Sequence, residues 1–168
     1  MDEGRQGQID ILLNNTVLSN FAQVHRLSLL ETAASGRAAT TEAVLEEFNE
    51  GIALGYFQAV ALDWLPVVSL SPEEQQTFQL IHLRLGAGEA SCLAMAQHRG
   101  MRVATDDRDA RRYAQRTGIP VSGTLGILVH LVGTQTINLQ EANAILAGMI
   151  QHGYRAPVTD LSTLVAKD

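Results

Sequence analysis

Residues 85–128 read LGAGEASCLAMAQHRGMRVATDDRDARRYAQRTGIPVSGTLGIL, and this stretch decides the fold. Its pattern alternates helix, strand, helix, strand and helix. A first helix over Glu89–His98 carries Leu93 and Ala96 four and seven residues on from Glu89, which gives it one apolar face. Gly100 ends that helix, and Arg102–Thr105 reads as a strand. Asp106 or Asp107 is placed to cap a helix over 107–116, which Gly118 stops. Ile119–Val121 reads as a further short strand, and Gly123-Thr124 opens a helix reaching about Val132. Strands separated by helices predict a parallel sheet covered on both faces, an α/β fold in one domain over residues 1–168.

The same alternation extends toward the N-terminus. Ile9–Leu13 has the length and apolar character of a buried first strand, and Asn14-Asn15-Thr16 supplies capping side chains for a helix from about Thr16. Val17, Leu18 and Phe21 give that helix its inner face; Leu27, Leu29 and Leu30 do the same for the next. Ala38–Thr40 reads as extended, and Thr41 caps a helix over Glu42–Glu50. Residues 51–64 are expected to form a further, less regular helix, followed by a strand at Val67–Leu70. Ser71-Pro72-Glu73-Glu74 is a strong helix start, with Ser as cap, Pro in the first turn and acids facing the positive dipole end. That helix should run to about Arg84, and a last pair is expected at Leu139–Gln151 and Leu161–Val165.

The totals narrow the function classes. The chain has 168 residues, 46% apolar and 18% charged, enough for one real core. Its net charge of -6 offers no global positive field toward nucleic acid, so any such contact needs a local basic patch. Only 5% of residues are aromatic, which argues against a base-stacking platform. The one cysteine, Cys92, excludes an internal disulfide framework and fits a reducing compartment; on an apolar helix face it reads as a core residue. No apolar run reaches the roughly 18 residues of a membrane span. The polar start MDEGRQGQ is not a signal peptide, so a cytoplasmic location is expected. The histidines show no metal spacing, and Gly86-Ala87-Gly88 lacks the remainder of either phosphate-loop fingerprint.

What remains is a set of carboxylates at strand ends, where open α/β sheets place their ligands. Each has a plainer reading beside a functional one. Asp106 and Asp107 are helix caps or metal ligands, and Asp107 can also pair with Arg111 one turn on. Glu89 is a dipole partner in a first turn or a ligand. Glu47, among Glu42, Glu46 and Glu50, belongs to a solvated acidic face or to a site. Arg108, Arg111, Arg112 and Arg116 form the densest basic cluster, a solvated face or a contact with an RNA backbone. Thr124 is a cap or a phosphate contact.

Four segments together resemble a known family: LLNNTVLSNFA (12–22), TTEAVLEEF (40–48), LGAGEASCLAMA (85–96) and VATDDRDARRYAQRTGIPVSGTLGIL (103–128). They are similar to the PIN domain, in particular a prokaryotic subgroup of predicted nucleic-acid-binding proteins. The resemblance runs from about Ile9 to Leu164. It implies a three-layer fold and a site of three or four acids that binds Mg²⁺ or Mn²⁺ and cleaves single-stranded RNA. By position the acids are Glu47, Glu89 and Asp107, with Asp106 adjacent as an alternative ligand. The family's first acid, at the end of the first strand, falls on Asn14. A carboxamide offers an oxygen but no charge, and at an effective dielectric near 20 a unit charge beside a dication is worth several kcal/mol. Asp10 does not replace it, since four residues of strand put it roughly 13 Å away.

The resemblance also implies a toxin–antitoxin role, an antitoxin-type protein partner and a homodimer. The expected activity is thus that of a metal-dependent ribonuclease with a weakened site. The rival is a catalytically silent PIN-fold module that binds nucleic acid or a protein. A receiver-type regulatory domain fits less well, because its paired acids follow the first strand, where this chain has Asn14-Asn15.

Overall fold

The computed structural model describes residues 8–165. Five parallel strands form its centre: β1 (Ile11–Leu13), β2 (Ala38–Thr41), β3 (Val67–Val68), β4 (Arg102–Ala104) and β5 (Val121–Ser122). Their spatial order is β3-β2-β1-β4-β5. Helices cover both faces: α1 (Asn15–Gln23), α2 (Leu27–Ala34), α3 (Glu42–Ala53), α4 (Pro72–His82), α5 (Ala87–Arg99), α6 (Arg108–Thr117), α7 (Thr124–Gly133), α8 (Leu139–Gln151) and the short α9 (Ser162–Val165). This is the three-layer α/β/α architecture expected of the sequence. No helix among the described residues is long and apolar enough to cross a membrane.

The strands are short, of two to four residues, and the central ones run through the core. Leu12, Leu13, Ala39, Val103 and Ala104 are buried almost completely, packed against Leu18, Phe21, Phe48, Leu93, Leu128 and Leu146 from the helices. Small residues on α5 (Ala90, Ala94, Ala96) let that helix lie close to its neighbours, and Cys92 is fully buried among them. Burial pushes its thiol up to about 12, so it is a core residue, as its apolar helix face indicated. At the sheet margins, β3 and β5 have two residues each.

Local signals set most boundaries. Asn14 caps α1, Thr41 caps α3 and Asp107 caps α6 through side-chain oxygens. Ser71 and Glu74 make the reciprocal capping box that the sequence announces. Glu74 is buried, and both of its carboxylate oxygens accept from Arg99 at 2.8 Å, which clasps α4 to α5. The Arg99 guanidinium, more than any other cause, holds the Glu74 carboxyl below its ordinary value.

One expected element is absent. Residues 51–64 do not form a separate helix; α3 continues to Ala53, and the chain from Leu54 to Pro66 is irregular. Gly55, at φ +80, turns it back so that Phe57 lies over Phe48 with ring centroids 4.8 Å apart. Anchoring by Phe57 and Leu65 replaces helical periodicity there. Elsewhere the differences are shifts of one to two residues, such as α5 starting at Ala87 and β5 at Val121.

Candidate active site

The chain runs outward from β1 in two directions, to β2 and β3 on one side and to β4 and β5 on the other. The crevice for ligands in such a sheet opens at the carboxyl ends of the strands where the order diverges, here between β1 and β4. Asn14 follows β1 and Thr105 follows β4, and they meet at this point. The Asn14 Nδ2 donates to Thr105 Oγ1 at 2.9 Å, and its Oδ1 accepts from the Asn15 N–H at 2.8 Å. Both residues are completely buried. Thr105 Oγ1 also accepts from the Asp107 N–H, while the Asp106 N–H goes to Thr16 Oγ1. A neutral, closed polar network therefore occupies the centre of the site.

On the β4–β5 side lies Asp106, whose oxygens are taken up. Its Oδ1 accepts from the Thr124 N–H at 2.9 Å and its Oδ2 from the Asn20 Nδ2 at 3.1 Å. The Thr124 hydroxyl donates to Oδ2 as well, and the Tyr154 hydroxyl approaches Oδ1 at 3.5 Å. Burial, then the Asp106 charge and that contact, push the Tyr154 phenol up. Gly123 permits the arrangement, since a Cβ there would sit 2.6 Å from Asp106 Oδ1 and 3.0 Å from an Arg111 nitrogen. Asp107 uses one oxygen to cap α6, accepting from the Ala110 N–H at 2.8 Å. Thr124, a phosphate-contact candidate in the sequence, is buried and engaged with Asp106.

On the β2 side the carboxylates are less well satisfied. Glu47 on α3 reaches the start of α5, where its Oε1 accepts from the Gly88 N–H at 2.8 Å. A Cβ at residue 88 would lie 2.6 Å from Glu47 Oε2, so only glycine admits this approach. Glu47 is half-buried and its carboxyl is held above the ordinary carboxylate value. Burial is the main cause; the Gly88 N–H works against it, and the charges of Glu89 and Glu50 add to it. Glu89, in the first turn of α5, folds its carboxylate back toward Gly86. Beneath the pair, Thr41 and Ser91 share a hydrogen bond of 2.6 Å.

The structure thus brings Glu47 to Glu89, and Asn14 to the Thr105–Asp107 turn, as two groups. Among the described residues no three of His, Cys, Asp and Glu gather into a set that holds a metal ion. The expected trio of Glu47, Glu89 and Asp107 is accordingly not assembled as one cluster: Asp107 turns an oxygen to its own helix, and Asp106 is consumed by Thr124 and Asn20. The Glu47–Glu89 pair fits a hard cation in a narrower sense. It offers two oxygen-donor side chains that repel each other and have no Lys or Arg ion pair among the described residues, and Mg²⁺ sites commonly take one or two carboxylates with waters and substrate phosphate. Asp10 pairs with Arg37 on β1's far end, consistent with its exclusion from the site.

A cavity of about 960 Å³ opens beside Asp106 and Asp107. Arg108, Arg111 and Arg112 from α6 line it, together with Tyr154 and Arg155. Arg111 is a strut here, donating to the Thr105 and Ser122 carbonyls and so tying β4 to β5. Asn20, Tyr154 and Arg155 escaped the sequence reading. Asn20 had a signal, a polar residue on the apolar face of α1; Tyr154 and Arg155 had none, lying in an irregular segment.

No curated protein matches the chain. Residues 10–167 match the family model of the PIN domain, a nuclease-like fold whose members in general use divalent metals. With a parallel sheet that diverges at Asn14 and Thr105, and a match across nearly its whole length, the chain belongs to the PIN-domain family.

Proposed function

We propose that the chain acts as a single PIN-like domain, a divalent-metal-dependent ribonuclease on single-stranded RNA with a weakened site. The observation that carries this is the approach of Glu47 and Glu89 at the start of α5, two half-buried carboxylates with no Lys or Arg ion pair among the described residues. Glu47 and Glu89 would hold Mg²⁺ or Mn²⁺, with waters and substrate phosphate as the remaining donors, while Asp107 stays on the α6 cap. Asp106 positions the turn through Thr124. Bound there, such an ion polarises a phosphodiester and lowers the pKa of water. The protein's own part is to fix the carboxylates: the Gly88 N–H holds Glu47, and the α5 first turn holds Glu89. Arg108 and Arg112, exposed on α6, would contact the RNA backbone. An antitoxin-type partner, a homodimer and a cytoplasmic location belong to the same reading.

A second reading is favoured by the Asn14–Thr105 bond and the saturation of Asp106. With both groups engaged and one neutral, the fold serves as a silent module that binds nucleic acid or a protein. Cleavage of labelled single-stranded RNA decides between them, with Mg²⁺, Mn²⁺ or a chelator, for the wild type and Asn14→Asp. Metal-dependent cleavage that rises in Asn14→Asp supports the nuclease. No cleavage by either protein with either metal leaves the binding module.

A further inference from the structure

Four of the chain's 12 lysines and arginines line one cavity, although the net charge is -6. All four are arginines: Arg108, Arg111 and Arg112 on α6, and Arg155 on the segment after α8. Arg111 is committed to the β4 and β5 carbonyls. Arg108, Arg112 and Arg155 are exposed, and none has an ion-pair partner among the described residues. The carboxylates on the same wall do little to neutralise them through direct contact. Asp106 is turned to Thr124 and Asn20, and Asp107 gives one oxygen to the Ala110 N–H. Leu125 and Pro157 supply apolar patches on the remaining walls.

We infer that this cavity is the path of a single strand of RNA past the site, with Arg155, from outside α6, as its second wall. The inference rests on the nuclease reading for its choice of a nucleic-acid ligand. Guanidinium groups match phosphate oxygens two at a time, which suits arginine in preference to lysine. Successive phosphates lie on Arg108, Arg112 and Arg155, and Leu125 and Pro157 give the bases apolar surface without a stacking platform. A volume of about 960 Å³ is at the upper end of ordinary ligand pockets and leaves room for an extended strand. The position beside Asp106 and Asp107 leads the strand along the carboxyl edge of the sheet.

Binding of a short fluorescent single-stranded RNA to the full chain, measured by anisotropy in chelator, tests this without cleavage. Arg108→Ala, Arg112→Ala and Arg155→Ala should each weaken binding by about tenfold. Each should also lower the slope of log affinity against log salt by about 0.7. Arg26→Ala, on the turn between α1 and α2, should change neither quantity. Arg155→Ala binding as the wild type does, or inorganic phosphate or a mononucleotide competing as well as the strand, would overturn the inference. The two readings fail separately. Cleavage that persists with unchanged KM in the arginine variants sinks the path and leaves the nuclease. Arginine-dependent binding without any metal-dependent cleavage sinks the nuclease and leaves the path.

Discussion

The β2 side and the β4 side of the crevice handle negative charge in opposite ways. On the β4 side, Asp106 receives a backbone N–H, a hydroxyl and an amide, and capping occupies Asp107. On the β2 side, Glu47 receives one N–H and faces Glu89 and Glu50, with its carboxyl held above the ordinary value. A carboxylate supplied with donors organises backbone; one left short of them, near another acid, keeps lone pairs for an external cation. The contrast separates acids that organise backbone from acids left short of donors, and it can be broken by substitution.

The largest effect is expected on the β2 side. Glu89→Gln should lower metal-dependent cleavage by at least about a hundredfold, read in the RNA assay. Glu47→Gln should do the same while keeping an acceptor for Gly88. Because the Glu47 carboxyl is raised in the folded state, its stabilising contribution is full below the unfolded value near 4.5 and is lost as pH rises through the folded one. The Gln variant should therefore melt no lower than the wild type at neutral pH. A marked drop in melting temperature, with cleavage intact, would reverse the assignment of the two sides.

Next comes the centre. Asn14→Asp buries a charge where a neutral amide now donates to Thr105, and should cost about 2 kcal/mol in chelator. Mg²⁺ should restore part of that loss by binding the folded state, seen as a melting temperature that climbs with metal only in this variant or far more steeply in it. Equal metal response in both proteins would detach residue 14 from any cation site.

On the β4 side, Thr124→Val removes a hydroxyl donor from Asp106 and should cost about 1–2 kcal/mol in denaturant unfolding. The smallest effect is a control remote from the crevice. The Glu74 carboxyl is lowered by Arg99, so its contribution is full above the unfolded value near 4.5 and is lost as pH falls through the folded one. Glu74→Gln should flatten the acid limb of the stability profile and leave the profile near neutrality parallel to that of the wild type.

Much of this was legible in the sequence because it is local. Ser71 with Glu74, Thr41, and Asp107 before an arginine-rich helix are capping signals readable within a few residues, and all three act as caps. The parallel sheet follows from strands separated by helices. The state of each acid was not legible, because it depends on partners far along the chain: Asn20 and Thr124 for Asp106, Gly88 for Glu47. The residues at 51–64 carry no helical period because apolar positions there serve Phe57, and Leu65 just beyond, as anchors of an irregular segment. Tyr154 and Arg155 belong to an irregular segment that offers no pattern at all.

The two-residue margins of the sheet, β3 and β5, bear on how these molecules behave when crowded together. A free strand edge invites another chain to add its own ladder, and the invitation grows with the number of unpaired amides in register. With so little ladder at either margin, neighbouring copies find scant template for fibril growth, and concentrated preparations should resist amyloid-like deposition.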